Sequence, residues 1–149
     1  MAIDPDLAGR SYPAGEPYFV GREKIREFAR AVKATSTAHY DVDAAQELGY
    51  RDLVAPPTFA IIVSQRADAQ LIEDDSAGID FTRVVHADQR FTHYHPIVAG
   101  DELVAELHVD SVRAMGAGAM ITTRAEISTV EGGKVATTKS SIIVRGEEQ

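Results

Sequence analysis

Apolar residues recur with helical spacing in the first part of the chain and with strand spacing in the rest. Ile25, Phe28, Ala29 and Val32 stand at i, i+3, i+4 and i+7, the set that lines one helix face, while Arg22, Lys24 and Arg26 point away from it. This predicts an amphipathic helix over residues 22–32. Asp43 and Gln46 have capping-box spacing, and Gly49 suits the left-handed residue that closes a helix, so a short surface helix is predicted there. A third helix follows Ala55-Pro56-Pro57, because proline fits a first turn that needs no donated hydrogen bond. Its opening, Phe59-Ala60-Ile61-Ile62-Val63, is apolar all round, the pattern of a helix buried at the centre of a fold. Polarity returns only at Ser64, Gln65, Arg66 and Asp68.

Beyond residue 83 the period becomes two. Val85, Ala87, Gln89 and Phe91 alternate with Val84, His86, Asp88 and Arg90. Leu103, Ala105, Leu107 and Val109 alternate in the same way with Glu102, Val104, Glu106, His108 and Asp110. Ala119, Ile121, Ala125 and Ile127 share one face of a third strand, and Ile143 stands among small polar residues in a fourth. The turns are explicit in Val98-Ala99-Gly100-Asp101, Met115-Gly116-Ala117-Gly118 and Glu131-Gly132-Gly133-Lys134. Helices followed by an antiparallel meander predict an α+β fold, a sheet wrapped around a long central helix. With no repeat, low-complexity stretch or linker, a single domain over residues 1–149 is expected.

Composition narrows the chemistry. The absence of cysteine excludes disulfides, thiolate metal ligands and thiol nucleophiles. A formal net charge of −8 with no Lys/Arg cluster argues against nucleic acid, whose phosphates need a cationic surface. The longest strongly apolar run, Phe59 to Val63, is too short to cross a bilayer, and the opening Met-Ala-Ile-Asp-Pro-Asp is acidic where a secretory signal is basic. No membrane insertion and a cytoplasmic location are the expectations. His93-Tyr94-His95 offers two potential metal ligands but no third at recognisable spacing, so no metal is expected and these residues read as an exposed turn before Pro96.

The blocks Arg22-Glu23-Lys24-Ile25-Arg26-Glu27-Phe28-Ala29, Tyr40-Asp41, Leu48-Gly49-Tyr50 and Ala55-Pro56-Pro57-Thr58-Phe59 resemble the N-terminal domain of the MaoC-like dehydratases. The resemblance continues through Val85-His86-Ala87-Asp88-Gln89-Arg90-Phe91 and Pro96-Ile97-Val98-Ala99-Gly100-Asp101, and so covers nearly the whole chain. Within that family the chain is similar to the substrate-binding subunit of the heterodimeric mycolic-acid-type (3R)-hydroxyacyl-ACP dehydratase. The resemblance implies a hot-dog fold, a dimer with one continuous sheet, and (3R)-hydroxyacyl-thioester dehydration or its reverse, enoyl hydration, with no cofactor. The acyl group would arrive on coenzyme A or acyl carrier protein; no pantetheine-binding motif distinguishes them.

Removing water from a 3-hydroxyacyl thioester requires a base for the α-proton, an acid for the departing hydroxyl and donors for the charge that grows on the thioester oxygen. Catalytic family members carry an Asp and a His five positions apart in a loop motif Gly-Asp-x-Asn-Pro-x-His. Laid on this sequence the motif spans Lys33 to His39: His39 matches, and Ala34 replaces the aspartate. Asp41 matches a different family position, usually acidic and helix-capping. Family members also carry His-Gly at the start of the central helix, where the glycine amide donates to the thioester oxygen. The matching pair here is Pro56-Pro57, and proline has no N–H to donate.

By the same resemblance Pro57, Thr58, Phe59, His86, Gln89 and Phe91 fall along the acyl-binding path; the Thr58 or Phe59 amide, or the Thr58 hydroxyl, is the candidate for a replacement donor, although the hydroxyl also suits a helix cap. With the dyad half missing, the favoured expectation is a dehydratase subunit that binds the acyl chain beside a second hot-dog subunit carrying an intact Asp/His dyad. The alternatives are a non-catalytic acyl-thioester or lipid-binding protein, and a homodimer that is itself a hydratase or thioesterase.

Overall fold

In the computed structural model, which describes residues 3–146, one antiparallel sheet curls around one helix. Met1 and Ala2, the first residues of the acidic opening stretch, lie outside the described residues. The strands are β1 (Ser11–Tyr12), β2 (Tyr18–Phe19), β3 (Val84–His93), β4 (Glu102–Met115), β5 (Gly118–Thr129) and β6 (Lys134–Val144). Their order is β1-β4-β5-β6-β3, with β2 also paired to β4. The helices are α1 (Arg22–Ala31), α2 (Val42–Glu47) and α3 (Ala60–Ile72), and α3 packs on β4, β5 and β6. This is the α+β architecture expected from the change of period. No helix among the described residues is long and apolar enough to cross a membrane.

The core is built where the alternation is strict. Leu103, Ala105, Leu107 and Val109 of β4 and Ala119, Ile121, Ala125 and Ile127 of β5 all point inward and are buried. Phe59 is wholly buried, edge-on to Phe28 at 5.4 Å and tilted against Tyr18 at 6.5 Å, which ties the start of α3 to α1 and β2. Aromatic contacts of this kind add to the free energy of area burial.

Four local expectations change. Val32 is the C-cap of α1 and is exposed, because the helix has already ended at Ala31. The cap of α2 is Asp41, whose carboxylate accepts from the Asp43 amide, so Asp43 lies inside the helix and does not cap it. Ile61 and Ile62 are only half-buried, because within one chain the sheet covers a single side of α3. The strand parity is also altered. A bulge between His86 and Asp88 shifts the β3 register, so Val84 joins Phe91 against the core while Val85 is exposed. Toward the end of β6, Ile142 and Val144 pack against the core, as Val135 and Ala136 do at its start, with Ile143 on the other parity.

Candidate functional site

His39 sits in a single tight helical turn, Thr37–His39, capped by Ser36, whose hydroxyl accepts from the Ala38 amide at 3.3 Å. Beneath it Ala38, Ala45, Val54 and Val98 form a small apolar cluster that fixes the loop. Val54 serves the loop twice. Its N–H donates to the Ala38 carbonyl at 3.2 Å, and its carbonyl accepts from Nδ1 of His39 at 2.7 Å. In the neutral ring this places the proton on Nδ1 and leaves the Nε2 lone pair as the acceptor.

His39 lines a cavity of about 550 Å³ together with Tyr50, Pro56, Pro57, His93, Tyr94 and His95, among others. The volume is in the range of small-molecule sites. His93, the last residue of β3, is stacked on Phe91 and donates through Nε2 to the Pro57 carbonyl at 2.8 Å, so it joins the end of that strand to the start of the central helix. The stretch 93–95 is therefore exposed but also a cavity wall. Continuing the β3 alternation from Phe91 to His93 is the sequence signal that would have found it.

The two departures from the catalytic pattern have structural counterparts. Lys33, at the glycine position of the motif, has φ of 59°, the left-handed conformation that favours glycine. The Ala34 amide reaches back to the Ala29 carbonyl at 2.8 Å and closes α1. Ala34 therefore occupies the loop position where the aspartate would stand, with a methyl group that exchanges no protons. At the helix start, the Phe59 amide is taken by the Pro56 carbonyl at 2.9 Å. That bond removes one of the two replacement amides, leaving Thr58, which is exposed.

The remaining sequence-selected residues lie elsewhere. Phe59 is a core residue, and His86, Gln89 and Phe91 are on β3 outside the 550 Å³ cavity. His86 Nε2 is 3.1 Å from the Ser140 hydroxyl, and Gln89 Nε2 is buried with no hydrogen-bond partner among the described residues. Nearby on α3, burial pushes the Asp68 carboxyl up to about 6, with His86 acting in the opposite direction. Sequence reading missed Asp68, because a lone acid on a helix carries no sign of its burial. No group of three or more His, Cys, Asp or Glu suited to a metal ion occurs among the described residues.

Residues 6–138 match the family described as the FAS1-like dehydratase domain region. The chain is 49% identical to a UPF0336 protein of Saccharopolyspora erythraea over 98% of this chain and 94% of the relative. It is 51% identical to a UPF0336 protein of Leifsonia xyli subsp. xyli over 99% of each. In structure it is similar to a chain of the C-terminally truncated HadBC (3R)-hydroxyacyl-ACP dehydratase complex of Mycobacterium tuberculosis. That similarity has a TM-score of 0.85 and 33% identity, over 93% of this chain and 97% of that one.

Proposed function

Because the chain belongs to the MaoC-like hot-dog family described as the FAS1-like dehydratase domain region, we propose that it is the acyl-binding subunit of a (3R)-hydroxyacyl-thioester dehydratase. In reverse the same complex is an enoyl-thioester hydratase. The observation that carries this reading is the His39 cavity: the imidazole is oriented with Nε2 available, yet Ala34 offers no carboxylate and Pro57 offers no amide. One base without its partner acid or its oxyanion donor leaves the elimination of water largely uncatalysed.

The missing groups belong, on this reading, to a second hot-dog subunit with an intact dyad. The sheet order ends at β3, so the outer edge of this ten-residue strand is unpaired within the chain and offers N–H and C=O groups to a partner strand. The acyl chain runs from the Pro57–Thr58 turn toward Gln89 and Phe91, since β3 contacts that turn through His93 and the buried Gln89 amide farther along the strand is an unused donor among the described residues. The carrier is coenzyme A or acyl carrier protein. His86 borders the same path through its contact with Ser140.

The test is reconstitution. Enoyl-CoA hydration is followed by ultraviolet absorbance for this chain alone, for a hot-dog subunit with an intact Gly-Asp-x-Asn-Pro-x-His motif alone, and for the two mixed. Activity should need the mixture and should be lost when the partner's histidine is replaced, while His39→Ala leaves most of it. Strong turnover by this chain alone that vanishes in His39→Ala would instead make the protein a self-sufficient enzyme.

A further inference from the structure

A second cavity, of about 300 Å³, shares no lining residue with the His39 cavity. Its α3 wall consists of Val63, Arg66, Ala67 and Gln70, at the i, i+3, i+4, i+7 positions of one helix face, with Ala69 at its edge. Leu103 and Ala105 from the inner face of β4 also line it, and the segment from Gly15 to Tyr18 closes the remaining side. That segment is held over the helix because the Gln70 amide donates to the Pro13 carbonyl at 2.9 Å.

The chemistry of the lining is divided. Val63, Ala67, Leu103 and Ala105 are buried and wholly apolar, and they form the floor of the cavity. At the rim the Arg66 guanidinium lies 5.4 Å from the centre of the Tyr18 ring and forms no ion pair among the described residues. Its stacking on the ring fixes the orientation of the guanidinium fork, the geometry that grips a carboxylate with two hydrogen bonds. Glu16 stands on the same rim. Its negative charge repels a dianionic head about twice as strongly as a monoanionic one, which favours a monoanion over a phosphate ester.

We infer that this cavity binds a small aliphatic monocarboxylate, with the carboxylate on Arg66 and the alkyl chain between α3 and β4. The volume lies at the lower end of the range for ligand pockets, which suits a short chain and excludes a full acyl thioester. The site is independent of the dyad and does not depend on which carrier or partner serves the His39 cavity.

Nitrogen–proton correlation spectra of the 149-residue protein, recorded during titration with hexanoate, hexylammonium and hexyl phosphate, test the assignment. Hexanoate should shift the amides of Gly15, Ala69 and Ala105 saturably and leave those of Tyr50 and His95 in place. Arg66→Gln, a change at an exposed position, should weaken that binding by about tenfold or more, as expected for loss of a charge-assisted pair. Ala69→Phe, which fills the cavity from its edge, should abolish it. Hexylammonium and hexyl phosphate should give no comparable shifts. The proposal fails if hexanoate produces no saturable shift, if its shifts map to the His39 cavity, if Arg66→Gln binds as well as the wild type, or if hexyl phosphate binds as tightly.

Discussion

His39 Nδ1 is 2.7 Å from the Val54 carbonyl, and that one hydrogen bond decides which nitrogen of the ring faces the cavity. Family catalysis couples such an imidazole to a carboxylate and to an amide at the helix start. Here the imidazole is prepared and the other two groups are missing. Purified alone, the protein should therefore hydrate enoyl-CoA barely above background, since each missing group commonly costs about a hundredfold. Ala34→Asp or Pro57→Gly alone should recover little. Together they should exceed either single variant by about tenfold or more, because the groups act as a unit. Steady-state rates for the four proteins check this, and a double variant no faster than wild type would show that the catalytic loop motif does not align with residues 33–39.

Lys33 is the only non-glycine residue with positive φ among those described. Its 59° is imposed by the closure of α1, in which the Lys33 amide bonds to the Arg30 carbonyl and the Ala34 amide to the Ala29 carbonyl. A β-carbon in that conformation costs about 1 kcal/mol or more, and glycine avoids the cost at the expense of a more disordered unfolded chain. Lys33→Gly should thus raise stability by roughly 0.5 kcal/mol, read as a higher urea midpoint at unchanged slope. A lower midpoint would mean that the lysine makes a compensating contact.

How much of this was legible in the sequence depends on how local the cause was. The inward faces of β4 and β5 were fixed by strict alternation from Leu103 and Ala119 onward, and α1 by the spacing of Ile25 and Ala29. The β3 parity was not legible, because a bulge at His86/Asp88 is set by pairing with β6, and nothing in the local pattern announces it. The same limit applies at the site. His39 was found through its motif position, but the Val54 carbonyl that orients it and the His93 ring that borders it come from distant segments, joined only when Ala55 bonds to Ile97 across the bridge at Val54 and Val98.

Gly118 opens β5 where no side chain fits. A β-carbon built there would fall 2.2 Å from the Val144 carbonyl oxygen and 3.0 Å from the Gly146 nitrogen, and both are backbone atoms that cannot swing aside. Gly118→Ala should force the end of β6 away from β5 and cost about 1–3 kcal/mol, the range for overpacked sites. For a chain of this size that is a fall in Tm of roughly 2–4 °C per kcal/mol. A melting temperature equal to wild type would mean that the Val144–Gly146 segment does not lie where it is described.

Asp68 gives the fold a pH dependence whose sign is opposite to that of an ion-paired carboxylate. Burial raises its folded-state value from 3.8 to about 6, so between those limits the native state holds a proton that the unfolded chain has released. Stability from this group is greatest below the unfolded value and falls as pH rises through about 6. Asp74 behaves in the reverse sense: hydrogen bonds from Ser76 and then Tyr12 hold it at about 2, so its contribution is present above 3.8 and lost only as pH falls toward 2. The two windows barely overlap, and urea melts at about pH 4.5 and about pH 7.5 isolate Asp68. Asp68→Asn removes that loss of stability, which is complete at the higher pH and only partial at the lower, where the native carboxyl is still neutral but most unfolded chains have ionised. Relative to wild type it should therefore gain about 2 kcal/mol more at pH 7.5 than at pH 4.5. An equal effect at both pH values would place the Asp68 carboxylate in water and overturn its burial on α3.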